Sequence, residues 1–385
     1  MLKSVRPART GQSYHMTDTD RKQHKIFYGW WIVSASFFIL GYFGGIFFYG
    51  FTAILDPVAV EFGWSYARIS VAASIRGMES GILAPLVGWL IDKWGPRKLL
   101  MSGITIAALG TFLLSQANSL AVFYGSFVVI SIGLSACTNI VPMAVVGNWF
   151  RRKMSMVTGI VVSGTAFGGF MIPLVTKIID TFGWRMAMIY LGAAALVIFL
   201  PLALVIRHKP EQYGYLPDGD TATTQIVQKD ISAVQVIDVD IDVKHALKSR
   251  IFWFIATATV CSFLIANSVV THVMTYLSTV GIERSLASFV ASGIPIMTIV
   301  SRLGFGWLGD KFDKRRVMAS GYTLMFFGLV LFSTVTITRT WMLIPFIIIF
   351  GLGYGGPIPV MPAILREYFG RSQLGTLIGF VMGIA

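Results

Sequence analysis

The stretch Gly88-Trp89-Leu90-Ile91-Asp92-Lys93-Trp94-Gly95-Pro96-Arg97 recurs 218 residues later as Gly306-Trp307-Leu308-Gly309-Asp310-Lys311-Phe312-Asp313-Lys314-Arg315, with six of ten positions identical. A helix needs about 20 apolar residues to cross a ~30 Å hydrocarbon core. Ten such runs follow one another, near 27–54, 66–91, 98–117, 121–148, 154–179, 184–206, 251–278, 286–309, 316–336 and 341–365. Each copy of the repeated stretch falls in the short loop after the second run of a six-run set, so topology repeats along with sequence. A weaker echo relates Trp149-Phe150-Arg151-Arg152 to Tyr368-Phe369-Gly370-Arg371. The expected fold is therefore all-α and membrane-spanning, in two related six-helix halves.

Composition agrees. Hydrophobic residues make up 55% of the 385, charged residues 13%, and mean hydropathy is +0.72, outside the range of a soluble globular domain. The excess of 31 Lys+Arg over 18 Asp+Glu would point to nucleic acid in a soluble protein, but membrane topology explains it here. With the N-terminus inside, 24 basic residues fall in cytoplasmic segments and 5 at external ones, a strong positive-inside bias. The ten tryptophans all fall at span ends, where an amphipathic ring favours the headgroup level. No nucleic-acid partner is expected; the partners implied are membrane lipid and a small solute. A multi-pass protein of the plasma (inner) membrane with a cytoplasmic N-terminus is the expected location.

Residues 1–26 are polar and basic, which predicts a cytoplasmic tail rather than a cleaved signal. Residues 27–206 form the expected N-terminal half, 207–250 a cytoplasmic linker carrying seven of the acids, and 251–385 the C-terminal half. An eleventh apolar run starts near Gln373 and meets the end of the sequence at Ala385. A helix stopping within the bilayer would leave carbonyls unsatisfied, so the expectation is that helix eleven continues and a twelfth follows. Cys137 and Cys261 lie apart in apolar runs and read as small core residues. Gly351, Gly353 and Gly356 satisfy a dinucleotide-binding spacing, but within a membrane span rather than between strand and helix. No set of residues suited to a metal, a cofactor or a nucleophilic reaction appears, so the chain does not read as an enzyme.

With these residues in view, Gly88, Asp92, Lys93, Gly95, Arg97 and Lys98 resemble the loop motif of the major facilitator superfamily, with Pro96 in a place that is usually basic. Tyr28-Gly29-Trp30-Trp31, the run Glu211 to Gly219, and the seventh helix around His272 and Tyr276 resemble the branch of oxalate:formate antiporters and monocarboxylate transporters. The resemblance implies twelve helices and transport by alternating access. It also implies that Gly88, Asp92, Lys93 and Arg97, with Gly306, Asp310, Lys311 and Arg315, hold the inner gate closed when the site faces outward. Physically, Asp92 and Asp310 stand where adjoining helix termini and Arg97 or Arg315 can satisfy them, and the glycines let helices approach.

Ionisable groups inside the bilayer cost ~2.5–3.5 kcal/mol each at helix centre and are usually kept for function. Arg302 lies eight residues from Asp310, about 12 Å along the helix and near the midplane. Between Phe252 and Leu365 the acids are Glu283, Asp310 and Asp313, all in loops or at helix ends. A guanidinium there suits a carboxylate substrate bound through its planar fork, and the resemblance places a substrate-binding arginine at this position. A cross-half pair with Glu79, or a bond to helix carbonyls, is the structural alternative. Arg76 and Glu79 share a face of the second helix and can pair, and Glu79 is also the candidate coupling acid. His272, mid-helix seven, can meet substrate or carry a proton, or simply bond a neighbouring helix. Asn139, Tyr276 and Tyr354 can add neutral hydrogen bonds at the cavity or hold helices together. The function expected is secondary transport of a small organic anion, a mono- or dicarboxylate, either coupled to protons or by exchange. A drug or metabolite exporter of the same superfamily and a non-transporting receptor are the alternatives.

Overall fold

The computed structural model describes residues 27–220 and 241–385, and the apolar runs are helical apart from short breaks. The expected tail and the middle of the linker, 221–240, lie outside the described residues. Among the described residues, eight helical stretches are long and apolar enough to cross a membrane, and several hold more than one pass or a broken one. The longest, Met154–Ala203, holds the fifth and sixth spans, which turn into one another at Gly183 (φ 78°). The second span, Tyr66–Trp94, has 29 residues but is less apolar, because Arg68, Arg76 and Glu79 lie along it.

Chain punctuation sets the ends. Gly63 (φ 62°) stops the first span, Gly95 (φ 83°) the second and Gly370 (φ 89°) the tenth, while Ser65, Ser119 and Ser249 cap the helices that follow them. The first span differs from the expectation. It runs Gly29–Phe43, passes through a π-helical turn at Gly44–Tyr49 and continues as Phe51–Phe62. Its apolar stretch ends near 54 because the last turns carry acids with their own partners. Asp56 accepts a hydrogen bond from the Tyr66 hydroxyl (2.8 Å), and Glu61 accepts one from Trp184 Nε1 (2.6 Å) and pairs with Arg185. The fourth span is interrupted. Leu120–Cys137 and Ile140–Trp149 meet at Thr138 (φ −94°, ψ −162°) and Asn139, a break that apolar periodicity does not reveal.

Within the first half, the first span packs on the fifth, the third on the fourth and sixth, and the second on the fourth. The glycine pairs Gly41/Gly45 and Gly164/Gly168 face each other, so the first and fifth helices approach backbone to backbone. Within the second half, the eighth span (Arg284–Lys311) and ninth (Lys314–Ser333) pack on the tenth, which runs Leu343–Gly355 and Pro357–Phe369. The most extensive contacts between the sets join the second span to the eleventh, Leu374–Ile384, and the eighth to the fifth. The repeat relates these two contacts, since the second and eighth spans carry its two copies.

Candidate functional site

The two aspartates of the repeat make matching contacts, one from each half to the other. Asp92, in the last turn of the second span, accepts hydrogen bonds from the backbone N–H groups of Gly375 (3.2 Å) and Thr376 (2.8 Å) and from the Thr376 hydroxyl (2.6 Å). Asp310, in the last turn of the eighth, accepts them from the N–H groups of Ser155 (2.8 Å) and Met156 (2.9 Å). Each carboxylate thus caps the N-terminus of a helix from the other half. Free N–H groups and the positive end of the helix dipole favour an anion there.

The glycine four residues earlier makes this approach possible, because residues four apart share a helix face. A Cβ at Gly88 would stand 2.9 Å from Thr376 Cα, and one at Gly306 would stand 2.8 Å from Met156 Cα. The spacing glycine-x-x-x-aspartate therefore gives a flat landing place followed by a cap. Lys93 and Lys311 lie over the rings of Trp89 (4.7 Å) and Trp307 (4.1 Å), a further matched pair. The partners of the aspartates are helix-terminal N–H groups of the opposite half, with the Thr376 hydroxyl; the adjoining termini expected from sequence are there, and the arginines are not among the partners shown. Arg97 is exposed, and Arg315 lies over Tyr368 and beside Asp313. Ser155, Met156, Gly375 and Thr376 were not legible as functional positions, although the weak sequence echo falls on the loops just before them.

Deeper in, Arg302 is 8% exposed and its Nη1 donates to the carbonyl of Val162 on the fifth span (2.9 Å). A Cβ at Gly159 would lie 3.0 Å from the Arg302 carbonyl carbon, so the fifth and eighth helices are in close contact at this level too. Of the two alternatives, the carbonyl bond is present. Ser301, beside it, donates to the carbonyl of Leu352 on the tenth span.

The other candidates are dispersed. Arg76 is half-buried with its guanidinium 6.0 Å from the Phe51 ring, and the side chain of Glu79 lies outside the described residues. Asn139 sits at the break in the fourth span, its Oδ1 buried without a hydrogen-bond partner. Tyr354 is half-buried near Phe350, and Tyr276 packs on Phe332 (4.7 Å) in the core of the second half. His272 is exposed on the seventh span, Arg250–Thr279, in a polar stripe with Asn267, Ser268, Thr271, Thr275 and Ser278. That stripe lies opposite the buried face of Ala266, Val269, Val273 and Leu277.

Taken together, the halves are locked at the end carrying Asp92 and Asp310. Among the described residues, no comparable contact joins the first span's Phe51–Phe62 to the seventh at the other end. Two pseudo-equivalent helical halves, tied at one end of a membrane-embedded bundle, define an integral membrane transporter. The chain belongs to the major facilitator superfamily, whose family model matches residues 33–385. It is 26% identical over 384 residues to monocarboxylate transporter 12 of Xenopus laevis, covering 95% of this chain and 82% of that protein. To the oxalate:formate antiporter of Oxalobacter formigenes it is 24% identical, covering 86% and 76%. Among solved structures, a double-tryptophan mutant of XylE superposes with a TM-score of 0.66 at 14% identity, covering 92% of this chain and 84% of that one. FucP in its outward conformation gives 0.64 at 14%, covering 92% and 88%. The fold and the resemblance to the monocarboxylate and oxalate:formate branch are those expected from sequence.

Proposed function

We propose that the chain carries a small organic anion, a mono- or dicarboxylate, across the membrane by alternating access, with the Asp92 and Asp310 end cytoplasmic. The observation that carries this is Arg302, a buried cation at the level where the two halves meet. Its bond to Val162 belongs to a contact that must rearrange when the halves rock, so a carboxylate arriving there exchanges one acceptor for a better, charged one. Similarity to a monocarboxylate transporter and to an oxalate:formate antiporter supports the same class of solute. The polar stripe with His272 supports a wet gap between the halves beyond Arg302, since six polar side chains are costly against lipid. In this reading the Asp92 and Asp310 caps are the closed inner gate and the molecule faces outward.

Proton coupling assigns the titrating group to Glu79 or His272, while exchange needs neither. Uptake of labelled oxalate, formate and acetate into proteoliposomes, with and without an imposed pH gradient, tests both levels. The expected result is saturable uptake of at least one carboxylate, inhibited by the others and unaffected by an uncharged sugar. Carboxylate uptake equal to empty vesicles, alongside movement of neutral or cationic drugs, would establish the exporter reading instead.

A further inference from the structure

The linker segment that follows the sixth span is strapped across the locked end and touches both halves. On the first half, Tyr28 donates its hydroxyl to the Val205 carbonyl (3.0 Å) and Trp149 Nε1 donates to the Arg207 carbonyl (3.0 Å). The Arg207 guanidinium lies between the rings of Tyr28 (4.0 Å) and Tyr213 (4.3 Å). Asp218 accepts hydrogen bonds from the backbone N–H groups of Arg151 (3.2 Å) and Arg152 (3.0 Å), and Asp220 pairs with Arg152. Asp218 adopts φ 61°, the one positive φ outside glycine among the described residues, followed by Gly219 at φ 75°. An aspartate tolerates that conformation at little cost, and the turn brings its carboxylate to the loop preceding the fifth span. On the second half, Glu211 pairs with Arg371 (2.8 Å) in the loop before the eleventh span. Further along the linker, Ile241 N–H donates to the Phe369 carbonyl (3.1 Å) and Val243 N–H to Gln373 Oε1 (2.7 Å).

Between these anchors sits His208. Its Cγ and Nδ1 lie 3.6 Å from where a Cβ at Gly95 would stand, in the turn that ends the second span three residues after Asp92. Its Nδ1 is buried without a hydrogen-bond partner. The charged groups facing it are Lys209 and Glu211 from the linker and Arg371 from the second half, while Gly95 is its contact from the second-span turn. Lys209 also acts on Asp92.

We propose that the segment from Arg207 to Asp220 is a pH-sensitive latch on the inner gate, with His208 the group whose protonation releases it. The proposal rests on the reading of the Asp92 and Asp310 contacts as that gate. An imidazolium needs an acceptor at each ring nitrogen. In the closed latch, Nδ1 is buried without one, and two cations against one anion face the ring. Burial, with Lys209 and Arg371 adding to it and Glu211 opposing, holds the His208 pKa below the ordinary histidine value. Once the halves part, Arg371 leaves with the second half while the Gly95 turn stays with the first, so the ring faces one cation fewer and a Glu211 carboxylate released from its ion pair. The open state then binds the proton more tightly, so the closed state is favoured at higher pH and loses ground as pH falls through the histidine range, about 6.5.

The experiment is a double electron–electron resonance distance across the locked end. Spin labels at Lys98→Cys and Arg316→Cys, exposed positions in the two halves, would be read in nanodisc-reconstituted full-length protein with Cys261→Ser. The expected result is a long-distance, inward-open population that grows by at most about tenfold per pH unit between pH 7.5 and 5.5, the limit for one proton. His208→Gln should abolish that pH dependence and His208→Lys should populate the long distance at every pH. A pH response in His208→Gln equal to the native one, or no native response at all, would overturn the latch. Asp92→Asn in the same assay checks the underlying gate reading separately: it should lengthen the distance whatever His208 does, and its failure would remove the gate reading rather than the sensor alone.

Discussion

Asp92 and Asp310 are each worth more than an ordinary helix-end charge, because their donors belong to the other half of the molecule. Hydrogen bonds to a charged group contribute about 1.5–3 kcal/mol each against water, and asparagine keeps one acceptor oxygen while losing the charge. Asp92→Asn is therefore expected to cost the closed state about 1–3 kcal/mol, a five- to 150-fold shift toward the inward-open form. Asp310→Asn should do the same, and because the two caps share no partner the effects should add. Thiol accessibility of cysteines placed along the fifth and eighth spans would measure both. The aspartates themselves were legible in the sequence through their duplication. Their partners were not, since Thr376 lies 284 residues from Asp92 and Ser155 lies 155 from Asp310, and nothing local in either loop names the group across the gap. Arg302 stood out because cations are rare within apolar runs, whereas its Val162 acceptor, a backbone carbonyl, has no signature at all.

At the scale of the helix, the glycine and the aspartate form one device. A side chain at Gly306 would have to displace the backbone at Ser155 and Met156, and one at Gly88 the backbone at Gly375 and Thr376. Gly306→Val should hold the fifth and eighth helices apart and so weaken the Asp310 cap without touching it. The expected outcome is inward bias at least equal to that of Asp310→Asn, with little added effect when the two are combined; full additivity would show that glycine and aspartate act separately. Span positions followed closely from apolar length, because only helices satisfy their own backbone in lipid. Two features escaped. The first helix continues to Phe62 through acids that find partners in Tyr66, Trp184 and Arg185, and the fourth breaks at Thr138 inside an unbroken apolar run. Even the repeat diverges locally, with Gly95 at positive φ in one copy and Asp313 capping Arg315 in the other.

For the molecule as a whole, the two matched contacts, second span with eleventh and eighth with fifth, make the locked end a symmetric clasp. The linker adds an asymmetric strap. In the proposed cycle, opening requires both caps, the close helix approaches at Gly88 and Gly306 and the Arg302–Val162 bond to rearrange together, as expected of rigid halves rocking about a central site. The central claim is that this rocking carries a carboxylate held by Arg302, and counterflow tests it without any driving gradient. Proteoliposomes loaded with unlabelled substrate would be exposed to labelled oxalate or formate outside. The native protein should show a transient accumulation of label, Arg302→Lys should lower its rate at least about tenfold because the planar fork is lost, and Arg302→Ala should abolish it. Counterflow of the carboxylate at the native rate in Arg302→Ala would contradict the account.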